Sequence, residues 1–336
     1  MIIVKAKIKN KNTENILYVN SLYSLSLYVY INDDKYNNTL FIVGNDIYSE
    51  RIFEKIDNYI VVNMTYRPSR FDVFLCSIYI IPEKFHYIYS IIKKAKYLYG
   101  HDHLPLSGIM LSFKGSMILI EDGLKNHMNK RLSKSKVLIR SVIGNVSEPL
   151  GYDKRINKIY LTGLGVSNFS LNEKIELVNY NKFINSITHQ LDGAFKYSFS
   201  TNKKYIKPIA ILATQPLSED QHLSEDEKIK IYDKILKKLE VQFTVYIKAH
   251  PREVTDYKII TNNIIPNDYL IETFILNESV VSIFSLFSSF FGCRDLNEMI
   301  SIIQFGTYFN KNLIDKFGLI KCSDNNYDYI FDDVSL

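Results

Sequence analysis

Three short stretches carry side chains whose types could do chemistry together: Glu121-Asp122-Gly123, Lys248-Ala249-His250-Pro251-Arg252 and Ser288-Ser289. A carboxylate can take a proton from an attacking hydroxyl, and a histidine flanked by cations can receive a departing phosphate. Hydroxyls and free backbone N–H groups at a helix start can hold phosphate oxygens. Taken singly, each stretch also has a plain structural reading: a solvated acidic turn, a strand-end histidine, a helix cap. Taken together they suggest a nucleotide-sugar site, with an acid on one side and cations on the other. Neighbouring residues on a strand point to opposite faces, so only one of Glu121 and Asp122 can face a ligand, and spacing does not say which.

The elements that must position these groups read as alternating strands and helices. Apolar runs at Asn15–Asn20, Thr39–Val43, Tyr59–Met64 and Met117–Ile120 predict strands, and the last of them delivers Glu121 and Asp122 to a sheet edge, with Gly123 to turn the chain. Ser21 reads as the cap of a helix over Leu22–Tyr30, and helical spacing predicts further helices over Ser49–Ile56, Phe85–Leu98 and Glu173–Ile187. Lys158–Thr162 reads as a strand followed by Gly163-Leu164-Gly165, a GxG that lacks the third glycine of a dinucleotide fingerprint. The polar, basic stretch 196–207 ends at Pro208 and reads as a linker. Beyond it the pattern restarts: strand Ile209–Ala213 leading into Thr214-Gln215, a capping box at Ser224–Glu227, a helix with an inner stripe of Ile231, Ile235 and Leu239, strand Phe243–Ile247, and a strand from Val280. Strands alternating with helices predict mostly parallel sheets in two α/β domains, 1–195 and 208–320, facing a shared cleft, with 321–336 as a tail.

Bulk composition narrows the function classes. A chain of 336 residues is long enough for two cores, and 46% hydrophobic with 23% charged residues is globular rather than disordered. A net charge of +5 does not call for nucleic acid but suits an anionic small ligand or a negatively charged membrane surface. Cys76, Cys293 and Cys322 are too few and too scattered for a disulfide framework, which fits a reducing compartment. The expected location is cytoplasmic, with peripheral contact at the inner face of a membrane. The cations Lys125, Lys130, Arg131, Lys134 and Lys136 form either a solvated helix or loop, or a patch for a phosphorylated or membrane-anchored acceptor. His101-Asp102-His103 has no evident third ligand in sequence, so a loop that is structural or touches the acceptor is expected, and no metal.

The order of an acidic D/E-D/E-G motif, an H-P motif and a serine pair resembles the bacterial sialyltransferases, within them the enzymes that sialylate lipooligosaccharide, O-antigen and capsule. The phrases Leu212–Asp220 (LATQPLSED), Gly100–Pro105 (GHDHLP) and Asn15–Tyr23 (NILYVNSLY) also resemble that family, although Leu22 stands where a proline is frequent. The resemblance runs from about residue 15 to residue 300. It implies a GT-B fold, two facing Rossmann-like domains, and CMP-sialic acid as donor, with no cofactor and no metal. It also implies Asp122 as base on an acceptor hydroxyl, supported by Glu121 and Gly123. His250 would receive the CMP phosphate, and Ser288, Ser289, Lys248, Arg252, Thr214 and Gln215 would bind the nucleotide. The expected product is an inverted, α2,3-type linkage to a galactoside of a lipid-linked surface glycan. The alternatives are another nucleotide sugar in the same fold, a polysialyltransferase, and a non-catalytic nucleotide-sugar-binding protein.

Overall fold

In the computed structural model the chain divides into two compact units, residues 1–196 and 197–336. The described residues are 2–10, 13–123, 131–162, 172–186, 205–287 and 300–331. The GxG at 163–165, Lys125, Lys130, most of the stretch read as a linker, and both Ser288 and Ser289 lie outside them.

Unit 1 is built on one sheet of eight strands: β1 Ile3–Ile8, β2 Asn15–Val19, β3 Thr39–Gly44, β4 Asn58–Val62, β5 Tyr97–Gly100, β6 Met117–Ile120, β7 Ile156–Leu161 and β8 Ile175–Leu177. Their spatial order is β1-β4-β3-β2-β5-β6-β7-β8, and all pairings are parallel except β1 with β4. The strands β2, β3 and β4 are buried along their whole length, as expected for parallel strands covered on both faces. The order from β4 to β7 is that of a Rossmann sheet, and the direction of winding reverses between β2 and β5. That reversal opens a crevice at the carboxyl ends of the strands, where loops from β2, β5 and β6 meet.

Helices cover the faces: α1 Leu22–Asn32, α2 Arg70–Ser77, α3 Glu83–Lys94, α4 Ser107–Lys114, α5 Lys134–Val142 and α6 over 180–186. Ser21 does cap α1, its Oγ accepting from the Ser24 N–H at 3.2 Å. Three sequence expectations are corrected. Residues 50–55 form turns, not a helix. The helix expected over Phe85–Leu98 stops at Lys94, because Tyr97–Gly100 pairs with β2 as a strand. The helix expected over Glu173–Ile187 begins only at 180, after β8 has paired with β7. In the last two cases pairing to a growing sheet outweighed a weak helical preference.

Unit 2 carries a five-stranded sheet, all parallel, of order β11-β10-β9-β12-β13, with β9 Ile209–Ala213, β10 Thr244–Lys248, β11 Ile264–Ile265, β12 Val280–Ser285 and β13 Ser301–Gln304. Its winding reverses between β9 and β12. Helix α7, Glu225–Leu239, opens with the expected capping box, Ser224 Oγ accepting from the Glu227 N–H and Glu227 accepting in return. It buries Tyr232, Ile235, Leu236 and Leu239 against the sheet. The segment read as a tail contributes Ile330 and Phe331 to this core, Phe331 stacking on Phe309. Two Rossmann-like units with mostly parallel sheets are the composition of the GT-B class.

The crevice of unit 1 depends on Gly100. Its φ is +146°, and a Cβ there would lie 2.0 Å from the Tyr18 carbonyl oxygen. Gly100→Ala is therefore expected to lower stability by at least about 2 kcal/mol, read as a fall in the denaturation midpoint of unit 1.

Candidate functional site

Strand β6 ends at Ile120, and the next two residues part company. Glu121 is fully buried. Its carboxylate accepts from the Thr162 N–H and the Thr162 hydroxyl, both at 2.6 Å, and its carbonyl accepts from the Ser24 hydroxyl at 2.5 Å. It ties the ends of β6, β7 and α1 together. Asp122 points the other way and is partly exposed, and Gly123 follows with a φ of +65°. Of the two acids, Glu121 is thus engaged inside the fold and Asp122 is the one that reaches the crevice.

Asp122 meets residues from the loop after β5. His103 Nε2 lies 3.1 Å from Asp122 Oδ2, and His101 Nδ1 lies 3.8 Å from the same oxygen. The two imidazoles are stacked nearly parallel, with centroids 5.4 Å apart. His101 is buried and its Nε2 is 2.8 Å from Ser24 Oγ. Between the histidines, Asp102 is turned inward, accepting from the N–H groups of Leu150 and Gly151 at 2.9 and 2.8 Å. Burial pushes the Asp102 carboxyl above the ordinary carboxylate range, and those two N–H groups oppose the shift. His103 as the direct partner of Asp122 was not legible in sequence. The only hint was the alternation of a His-x-His run, which sends its two rings to one side.

In unit 2 the expected residues gather at the carboxyl ends of β9 and β10. His250 is held by its backbone and by its ring: its N–H donates to Glu253 Oε1 at 2.7 Å, and its Nδ1 accepts from the Arg252 N–H at 3.1 Å. With Nδ1 an acceptor, the proton of the neutral ring sits on Nε2. Thr214 donates its hydroxyl to Glu253 at 2.6 Å, and Tyr257 donates to the same carboxylate at 2.6 Å. Burial raises the Glu253 carboxyl, with these hydrogen bonds opposing it. Gln215 accepts from the Phe287 N–H through its side chain, at 3.2 Å, and so links β9 to the segment just before Ser288.

The two cations expected at a phosphate are engaged within the unit. Arg252 makes a two-pronged contact with Asp220, at 2.7 and 2.9 Å. Lys248 is half-buried and donates to the carbonyls of Pro266 and Tyr269, at 2.8 and 2.9 Å, and desolvation of its ammonium pulls it down to about 8. Neither acts here as a bare surface charge. The residue that sequence reading passed over is Lys228, fully buried, which bonds Glu219 at 2.8 and 3.0 Å and lies 3.6 Å from Glu253. A lysine on the inner face of an otherwise apolar helix stripe was the available signal.

Burial acts to raise the Glu219 carboxyl, but the Lys228 ammonium and the Val254 N–H outweigh it and bring it down to about 2. Its folded pKa is below its unfolded one, so its contribution is present above about 4.5 and is lost as pH falls toward about 2. Stability measured by chemical denaturation should therefore fall on acidification below pH ~4.5, and Glu219→Gln should flatten that dependence.

The profile of glycosyltransferase family 52 matches residues 27–291. An uncharacterized protein of Haemophilus influenzae is 31% identical over 229 residues, covering 67% of this chain and 72% of that protein. Among solved structures, UDP-GlcNAc 2-epimerase of Methanocaldococcus jannaschii, in complex with UDP-GlcNAc and UDP, aligns with a TM-score of 0.43 at 14% identity, over 90% of this chain and 86% of that one. The wall teichoic acid polymerase TagF aligns with a TM-score of 0.46 at 15% identity, over 95% of this chain and 75% of that one.

Proposed function

The chain belongs to glycosyltransferase family 52, and from that premise we propose that it is an inverting sialyltransferase, moving sialic acid from CMP-sialic acid to a galactoside of a lipid-linked surface glycan. The observation that carries the reading is the Asp122 carboxylate, partly exposed at the crevice of a Rossmann sheet and 3.1 Å from His103, while Glu121 is locked inside. Asp122 takes the proton of the acceptor hydroxyl as its oxygen bonds to the anomeric carbon. The bond from that carbon to the CMP phosphate breaks, and its electron pair leaves on the phosphate oxygen. His250 donates a hydrogen bond from its Nε2–H to that oxygen. Gln215 and Thr214 shape the loops around it, and Ser288 and Ser289 hold the remaining phosphate oxygens. Lys248 and Arg252 brace this edge by holding the 266–269 segment and Asp220. A phosphate monoester is a good leaving group, so the transfer needs no dication.

Release of CMP from CMP-sialic acid, with and without a galactoside, tests the donor. Asp122→Asn and His250→Ala should each lower turnover at least about a hundredfold with the folded state retained. Full activity in either variant removes the role given to it, and turnover only with another nucleotide sugar replaces the donor.

The lipid-linked acceptor has support on unit 1. Phe71, Phe74, Ile78, Tyr79 and Ile80, in and after α2, are exposed, as are Leu138, Ile139 and Val142 of α5, a helix with no buried residue. The two helix ends adjoin, since a Cβ on Gly144 would meet Ser77 at 2.1 Å. Exposed Arg70, Lys93, Lys134 and Lys136 flank this apolar surface, the combination that binds an anionic bilayer. No helix among the described residues is long and apolar enough to cross a membrane. Sedimentation with vesicles should show binding to anionic but not neutral lipid, weakened about tenfold or more by Phe71→Asp with Leu138→Asp. Equal binding by that variant would place the contact elsewhere.

A further inference from the structure

The three side chains at the unit 1 crevice also have the makings of a metal site. One ring nitrogen each of His101 and His103 and an Asp122 oxygen all lie within 4.8 Å of one another. The two measured separations, 3.1 and 3.8 Å, bracket the roughly 3.3 Å that separates two ligands of a tetrahedral ion with bonds near 2.0–2.1 Å. Asp122 and His103 are partly exposed, which leaves a path for an ion and room for a solvent ligand, while His101 is closed off beneath them.

The protons argue further. Ser24 gives its hydroxyl proton to the Glu121 carbonyl, at 2.5 Å, so at the 2.8 Å contact with His101 it must accept. The Nε2 of His101 therefore carries the proton, and a neutral ring turns its Nδ1 lone pair toward the Asp122 carboxylate. The far nitrogen of His103, Nδ1, is buried without a hydrogen-bond partner among the described residues and lies 3.9 Å from Asp102 Oδ1. The Ser24 hydroxyl behind His101 is an outer-shell contact of the kind metal-ligating histidines carry, and the Asp102 carboxylate stands behind His103 just beyond hydrogen-bond distance. With the protons on those far sides, the lone pairs of both imidazoles face the Asp122 carboxylate.

We propose that His101, His103 and Asp122 bind a divalent late transition-metal ion of the zinc(II) type, with its remaining positions open to solvent. Two imidazoles and one carboxylate suit zinc, cobalt, nickel or copper, whereas magnesium and calcium demand oxygen. The ion takes the lone pair that Asp122 needs as a base, so its binding inhibits transfer reversibly. That consequence rests on the proposed function; the site itself does not.

The test is a titration of the metal-stripped, full-length chain, free of any histidine tag, with cobalt(II) alone. One equivalent should bind with a visible ligand-field spectrum and be displaced by zinc(II). X-ray absorption of the zinc-loaded wild-type protein should show two imidazole ligands, a readout that does not depend on any variant folding. His103→Ala and Asp122→Asn should each weaken cobalt binding at least about tenfold. Absence of saturable one-to-one binding below about millimolar metal, a spectrum without imidazole, or unchanged affinity in both folded variants overturns the site. If zinc binds there and transfer continues undiminished, the site stands and Asp122 is not the base. If no donor is turned over at all, the binding result still decides the site.

Discussion

Two hydrogen bonds from Thr162 to the buried Glu121 carboxylate hold the edge of the first sheet together, and much of the candidate site follows from them. Charge buried at a strand end is costly unless its oxygens are satisfied. Here the backbone and side chain of the residue just past β7 both donate to Oε2, and the Glu121 carbonyl in turn takes the Ser24 proton. The end of β6 is thereby fastened to β7 on one side and α1 on the other. Because consecutive side chains alternate, fixing Glu121 inward forces Asp122 outward, and Gly123, at positive φ, carries the chain off the sheet. The same Ser24 that is fastened by Glu121 then fixes the tautomer of His101. One buried acid thus orients the exposed one and the ring beneath it.

The second unit solves the matching problem with a buried ion network. Lys228 lies with Glu219 and Glu253 around it, and Glu253 receives Thr214, Tyr257 and the His250 N–H. Such a cluster adds little net stability over an apolar equivalent, yet removing one member leaves an uncompensated charge and costs about 3–5 kcal/mol. What it contributes is position. The loop after β9, the loop after β10 and helix α7 are joined through a few charged atoms, and His250 is left with a single way to present its ring. Arg252 and Lys248, which the sequence offers as cations for a ligand, are fastened to Asp220 and to two carbonyls, and so brace the loop that carries the histidine.

How much of this was legible beforehand depended on whether a feature is local. The Asp122 strand end, the capping box at Ser224 and the KAHPR run after a β strand are local, and each was readable because its signal lies within a few residues. Strand β5 reads in sequence as the end of the preceding helix, because Tyr97–Gly100 is short and its reason for being a strand is β2, about eighty residues upstream. The choice between Glu121 and Asp122 could not be made from the pair itself, since the deciding atoms belong to Thr162 and Ser24. No third ligand for His101 and His103 is evident in sequence because Asp122 lies on another strand, and only the parallel pairing of β5 with β6 brings the two loops side by side. Lys228 is hidden in sequence for a similar reason: a lysine in an amphipathic helix is expected to face water, and the Glu219 and Glu253 that hold it inside are on two other loops.

The Asp122 corner brings these arguments together. A carboxylate facing one imidazole at hydrogen-bond distance is a proton-sharing pair; facing two that both turn a lone pair toward it, it becomes a chelate. Which description applies at a given moment depends on where two protons sit, and the fold fixes one of them through Ser24. That leaves the proton on His103 as the variable. On Nε2 it donates to Asp122 and holds the carboxylate oriented for an incoming hydroxyl. On Nδ1, toward Asp102, it frees Nε2 as a third ligand. A single imidazole tautomer therefore separates a corner arranged for proton transfer from one arranged to hold an ion, and the Asp102 carboxylate, buried behind the ring and fixed by two backbone N–H groups, is the group whose charge weighs between them.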